Sequence, residues 1–383
     1  MIQYWHFPTR TLFGEGALQS LTVEVAALGA SRALVVTQKD VVGAGVVDRV
    51  LERVRSANVE TTVFDAVVMN PKEKTVLEAS LLAREAKVDL LIAVGGGSAM
   101  DVAKLASLLA QNPPPLEAYA TGSLEVRAIQ GPLPPVIAIP TTAGSGAEVS
   151  DGAIITLEAT GRKGVVRAPE LMPRVAVVDP ALATSLSPRL TAETGFEALS
   201  HAIEAYLAKG DHPMADAIAL QSLELIAAHF ERAVEDGSNA SDRSALAKAA
   251  TMGAVAAQKG LGVCHSLAHG LMVEHGLGYG LALSVCLPAA LDFNRTAVPE
   301  RVARVAKLLG ARGSDTETLA FECAGAVRAL RRRVGLPGGL RAVGVEDPDF
   351  ERLANLAHAD DFHPMNPRVT TVDDLVALFR ASA

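Results

Sequence analysis

Hydrophobic positions along the chain fall into two successive regimes. Up to about residue 180, short β-branched runs alternate with amphipathic stretches: RALVVT (32–37), TTVFDAV (61–67), LLIAVGG (90–96), VIAIPTT (136–142) and VAVVDP (175–180) are separated by segments such as VVDRVLERVRSA and TVLEASLLAREA. Strands spaced by helices of this length predict βαβ units and a parallel sheet. Beyond Ser187 the apolar residues recur at helical spacing through HPMADAIALQSLELIAAHFERAVE, SALAKAATMGAVAAQ, PERVARVAKLLG and TETLAFECAGAVRALRRRV, and few β-branched runs remain. The change predicts a boundary within ATSLSPRL. An α/β domain over 1–185 and an all-helical domain over 186–383 are expected.

Composition narrows the functional classes. With 383 residues and 49% hydrophobic content the chain can fill a core in each domain. Its apolar stretches are broken by glycines and fall short of the ~20 residues of a membrane span, and the opening residues lack a secretory pattern, so a soluble, cytoplasmic protein is expected. Cys264, Cys286 and Cys323 are far apart, which argues against a disulfide framework and a thiolate zinc site. The net charge of -8 is dispersed and offers nucleic acid no basic stripe. The run Arg331–Arg333 reads as a solvated helix end, where cations complement the helix dipole.

Two glycine-bearing loops follow apolar strands. In AVGGGSAMDVAKLAS, Gly95, Gly96 and Gly97 stand between a strand and a helix, where a bare backbone admits a pyrophosphate and the helix start attracts its charge. Ser98 and Asp101 read either as part of that site or as a capping box. A second loop, IPTTAGSGAEVS, offers Thr141 and Thr142 at the carboxyl end of the next strand. After RALVVT the chain reads Gln38, Lys39, Asp40. A carboxylate at the first place would repel a 2′-phosphate and Gln38 does not, so both NAD and NADP are admitted.

The helical half carries two matched spacings. Glu197 and His201 stand four apart, as do His265 and His269, so each pair shares a helix face and aims two ligands or proton donors in one direction.

With GGGSAMD, IPTTAGSGAEVS, DPAL, TAETGFEALSHAIEAY and HSLAHGL in this order, and with FGEGAL, Asn70-Pro71 and NPR (366–368), the chain resembles the iron-containing (group III) alcohol dehydrogenases nearly end to end. The resemblance implies a Rossmann-like N-terminal domain and an all-helical C-terminal domain, the dehydroquinate synthase-like architecture, with cofactor and substrate in the cleft between them and a homodimer or higher homo-oligomer. It implies that Gly96, Gly97 and Ser98 hold pyrophosphate, that Thr141 and Thr142 line the cofactor channel, and that Asn70 and Lys163 lie near the ribose or nicotinamide. It places His269 beside the nicotinamide. A divalent metal, iron or zinc, is implied at four positions, which in this chain are Glu197, His201, His265 and Tyr279.

Two of those four depart from the family pattern, which has Asp and His where this chain has Glu197 and Tyr279. The extra methylene of Glu197 displaces its oxygen, and a phenol with a pKa near ~10 must ionise to bind metal well. A weakened metal site on Glu197, His201 and His265 is therefore expected. Hydride addition to a carbonyl still needs its developing charge stabilised, and without metal that role falls to His269 and Tyr279, with His201 or His265 relaying the proton. The expected activity interconverts a small alcohol or polyol with an aldehyde or ketone. An oxoacid reductase of the maleylacetate type and a non-catalytic dinucleotide-binding protein are the competing readings.

Overall fold

The computed structural model describes residues 7, 9–121, 123 and 125–383. They form two compact units, Phe7–Thr142 with Gly146–Ser185, and Leu186–Ala383 with the short segment Ala143–Ser145. Residues 1–6, part of the opening stretch read for targeting, lie outside the described residues.

In the first unit the chain runs β1 (Arg10–Phe13), α1 (Leu21–Ala27), β2 (Arg32–Val36), α2 (Lys39–Gly43), α3 (Val46–Arg55), β3 (Glu60–Phe64), α4 (Glu73–Glu85), β4 (Leu90–Gly95), α5 (Gly97–Gln111), β5 (Val136–Pro140), β6 (Gly152–Thr156), β7 (Lys163–Arg167) and β8 (Val175–Val178). Six strands form one parallel sheet in the order β1-β8-β5-β4-β2-β3, and β6 and β7 form an antiparallel hairpin. Alternate strand residues feed two cores. Val35, Ile92 and Val94 pack with Leu21, Val50 and Val54 on one face, and Leu34, Val36, Leu91 and Ala93 with Val76, Ala79, Met100 and Leu105 on the other. Burial on both faces explains why these strands read as continuous apolar runs. From β2 the chain first adds β3 on one side, then returns to place β4 on the other. That reversal opens a crevice at the carboxyl ends of β2 and β4, where doubly wound sheets bind their ligands.

The second unit contains nine described α-helices: α6 (Pro188–Leu207), α7 (Pro213–Glu235), α8 (Ala240–Ala256), α9 (Val263–His275), α10 (Tyr279–Asn294), α11 (Pro299–Leu308), α12 (Thr316–Arg333), α13 (Phe350–His358) and α14 (Val372–Ala381). Ser187, His212, Asn239, Asp315, Asp349 and Thr371 each accept a first-turn N–H, and so start their helices locally. The starts of α9 and α10 have only glycine caps, Gly262 and Gly278, with no capping side chain. Their support must come from elsewhere in the fold. Among the described residues, no helix is long and apolar enough to cross a membrane.

Two features differ from the sequence expectation. Strand β1 and the β6–β7 hairpin were not expected, because RTLF is mostly exposed and each hairpin strand carries a glycine, Gly152 and Gly164, which weakens the strand pattern. Lys163 lies within that hairpin, half-buried on β7 opposite Thr156. Arg331 is buried rather than solvated, and its guanidinium donates to the Ser284 carbonyl at 2.9 Å.

Candidate active site

At the crevice of the parallel sheet, β4 ends in Gly95 and α5 begins two residues later. Gly95 has φ 149°, and a Cβ there would stand 3.0 Å from the Ala99 Cβ and 3.2 Å from Gln38 Oε1, so only glycine fits without strain. Gln38 therefore lies directly over the glycine turn, from the end of the neighbouring strand. The second loop lies alongside: Thr141 N–H donates to the Gly95 carbonyl at 2.9 Å, and the Thr142 hydroxyl oxygen stands 3.5 Å from where a Gly96 Cβ would be. Gly96 is the N-cap of α5 and has no side-chain cap, so Ser98 and Asp101 do not make a capping box. The first amides of α5 remain available to an anion. Asn70, at φ 55°, precedes α4 in the loop after β3.

Asp101, Lys104 and Lys163 form a charged group beneath this end. Lys104, invisible to sequence reasoning, is fully buried on α5 and donates to the Ser150 and Gly152 carbonyls at 2.8 and 2.9 Å, which ties the hairpin to the helix. Burial pushes the Asp101 carboxyl up to about 6, opposed by the Lys104 charge. It pushes both Lys104 and Lys163 down to about 8, opposed in each by Asp101.

In the helical unit, Glu197 and His201 share one face of α6, and His265 and His269 one face of α9. Gly144 lets its loop approach α6: a Cβ there would stand 2.7 Å from the Thr194 carbonyl and 2.9 Å from Glu197 Oε2. The His201 and His265 rings lie 4.9 Å apart at 22°, and Tyr279, the first residue of α10, stacks on His269 at 5.2 Å and meets His265 edge-on at 5.8 Å. The structure thus brings Glu197, His201, His265, His269 and Tyr279 into one unit, with the two histidines of α9 both against Tyr279. His275 is exposed at the end of α9 and takes no part.

Two carboxylates that the sequence did not single out organise these rings. Glu204, buried on α6, accepts the backbone N–H groups of Gly262, Cys264 and His265 at 3.0, 2.8 and 3.2 Å, and Asn366 Oδ1 accepts that of Val263. The uncapped start of α9 is satisfied in this way by remote side chains. Glu204 Oε2 also faces His265 Nδ1 at 2.5 Å, and Asp360 Oδ2 faces His269 Nδ1 at 2.6 Å. The Phe362 ring packs against both imidazoles, at 5.8 and 5.4 Å. One signal for Glu204 was legible: it lies seven residues, two helical turns, after Glu197. Asp360 and Phe362 had none.

The remaining ring nitrogens, His201 Nδ1, His265 Nε2 and His269 Nε2, are buried without a hydrogen-bond partner. Burial first, then the neighbouring His265, pushes His201 down to about 3, against a hydrogen bond to the Gly144 backbone. His201 is therefore a neutral ring. Burial, reinforced by the negative charges of Glu197 and Asp360, pushes the Tyr279 phenol far above its ordinary value, so it stays protonated. The implied metal does not fit this donor set. Tyr279 offers a proton instead of an anionic oxygen, and among the described residues no three His, Cys, Asp or Glu side chains converge closely enough to hold a metal ion.

Comparison with known proteins covers both units. The iron-containing alcohol dehydrogenase family profile matches residues 8–180, and that of the C-terminal part of the Fe-containing alcohol dehydrogenase family matches residues 191–383. The chain is 35% identical over 376 residues to the NAD-dependent methanol dehydrogenase of Bacillus methanolicus, covering 97% of this chain and 98% of the relative. It is 40% identical over 369 residues to the 4-hydroxybutyrate dehydrogenase of Cupriavidus necator, covering 94% of each. A crystal structure of 1,3-propanediol oxidoreductase matches it with a TM-score of 0.95 at 34% identity, covering 100% of both chains.

Proposed function

The chain belongs to the iron-containing alcohol dehydrogenase family, and on that premise we propose that it interconverts small alcohols or polyols with aldehydes or ketones by hydride transfer, using NAD and handling the proton with side chains. The observation that carries this reading is the state of His269: its Nε2 is buried, has no partner and sits beside a protonated phenol. An unpartnered buried nitrogen is costly unless a substrate group meets it.

Gly96, Gly97, Ser98, Thr141 and Thr142 would hold the coenzyme, with Asn70, Asp101 and Lys163 toward its ribose or nicotinamide, and bound NAD supplies the hydride acceptor. In alcohol oxidation the carbinol C–H pair leaves as hydride and the O–H proton passes to His269 Nε2. In the reverse direction protonated His269, or Tyr279 through its O–H, donates to the carbonyl oxygen as negative charge develops there. His201 and His265 are the relay candidates. Gln38, at the tip of β2, puts no negative charge where a 2′-phosphate would sit, which supports use of NADP as well. The 4-hydroxybutyrate dehydrogenase relative brings aldehydes with a distal carboxylate into the substrate range to be tested.

The test is turnover of NADH and NADPH with a panel of aldehydes, ketones and oxoacids on purified protein, with and without chelator, alongside elemental analysis. Activity that survives chelation without stoichiometric metal is expected. Loss of activity in chelator, restored by added iron or zinc, would refute the side-chain route. Replacing His269 by Gln should lower kcat by about 10²–10⁴-fold, and a much smaller loss would remove it from the proton path.

A further inference from the structure

We infer that Asp360 is a positioning residue, which holds His269 in its Nδ1–H tautomer so that Nε2 carries the lone pair that takes the substrate proton. The inference rests on the reading of His269 as the proton group. Its basis is the hydrogen-bond pattern around one carboxylate. Asp360 Oδ2 faces His269 Nδ1 at 2.6 Å, while Oδ1 receives the Ser266 hydroxyl at 2.7 Å and the Phe362 backbone N–H at 3.0 Å. Ser266 Oγ in turn accepts the backbone N–H of His363 at 2.9 Å, so its own hydrogen is committed to Asp360.

The carboxylate remains an acceptor on both sides. Its burial works against the charge, but His269, Ser266 and the Phe362 N–H outweigh it and hold Asp360 below the ordinary carboxylate range. An ionised carboxylate can only accept, so the facing ring nitrogen must donate. The neutral ring is then protonated at Nδ1 and bare at Nε2. The same contacts latch the segment from Asp360 to His363 onto α9, and that segment carries Phe362, whose ring lies 5.4 Å from the His269 ring.

The geometry makes one substitution diagnostic. In Asp360→Asn the two donors at Oδ1 include a backbone N–H that cannot reverse, so the amide oxygen must take that place and the amide nitrogen must face His269 Nδ1. That nitrogen donates, which forces the ring into the opposite, Nε2–H, tautomer. The wrong tautomer cannot accept the alcohol proton, and the expected loss of kcat with NADH and propionaldehyde, or with NAD and 1-propanol, is on the order of 10³–10⁴-fold with KM little changed.

The experiment pairs this assay with ¹⁵N NMR of histidine-labelled protein at alkaline pH, in wild type and in Asp360→Asn, with the His269→Gln variant assigning the resonance. Expected are an Nδ1–H pattern for His269 in the wild type, an Nε2–H pattern in Asp360→Asn, and the fall in kcat. A wild-type ring already in the Nε2–H form overturns the inference and needs no variant to fold. An unchanged tautomer in folded Asp360→Asn overturns it equally. A reversed tautomer with kcat unchanged upholds the positioning contact but sinks His269 as the proton group, which separates the two failures.

Discussion

The two units make their sites from different materials. In the parallel-sheet unit the proposed coenzyme end is mostly backbone: a glycine at φ 149°, the uncapped first turn of α5 and a second loop held to the first by a main-chain hydrogen bond. In the helical unit the site is side chains held by other side chains, with Glu204 and Asp360 each committed to an imidazole on α9. A backbone site tolerates changes in its neighbours but not the addition of a Cβ. A side-chain site tolerates ordinary helix chemistry but not the loss of one charge. The difference should be visible in what each unit loses on substitution.

Replacing Glu204 by Gln is expected to cost most. One carboxylate oxygen, Oε1, accepts Cys264 N–H while the other accepts Gly262 N–H, His265 N–H and the His265 ring, so an amide nitrogen must confront at least one donor. A loss of about 3 kcal/mol is expected, read from the urea midpoint. An unchanged midpoint would mean that the start of α9 does not depend on this group. Gly95→Ala should act on the other unit and by a different route. Its strain of about 1–3 kcal/mol should raise the Kd for NADH, measured by fluorescence titration, by about tenfold, and leave the His269 resonance unmoved. Equal damage to both readouts would erase the contrast.

A third contrast is a pair of opposed pH dependences. His201 is held down to about 3 against an ordinary 6.5. Between those values the unfolded chain binds the extra proton, so this contribution is present above pH 6.5 and is lost as pH falls toward 3. Asp101 is held up to about 6 against 3.8, so the folded chain binds the extra proton between them. Its contribution is full below 3.8 and is lost as pH rises through 6. Hydrogen exchange corrected for intrinsic rate should then show α6 losing protection and α5 gaining it as pH falls from 6 to 4. Asp101→Asn should flatten the trend in α5 and His201→Gln that in α6; parallel trends in both helices would refute the assignment.

Much of this architecture was legible in the residues. The five apolar runs correspond to β2, β3, β4, β5 and β8, and helical periodicity marks α3, α4, α7, α8, α11 and α12, because burial on one or two faces imposes those periods directly. TTVFDAV reaches past its strand, which ends at Phe64. The β1 strand is mostly exposed and each strand of the β6–β7 hairpin holds a glycine, so neither shows an apolar run. At the site, the i, i+4 spacing showed which histidines share a face, and GGGS marked a strand-to-helix turn with bare backbone. Neither revealed Lys104, Glu204, Asp360 or Phe362.

What the sequence determined by itself were local properties: the order of strands and helices, the glycines that leave backbone bare, and the pairing of Glu197 with His201 and of His265 with His269. These follow from periodicity and backbone freedom, which act within a few residues. Tertiary structure alone decided which nitrogen of each imidazole is bound and which is left without a partner. His265 meets Glu204 across 61 residues and His269 meets Asp360 across 91. A carboxylate sets a tautomer only through contact at hydrogen-bond distance, and no local pattern records a contact made by folding.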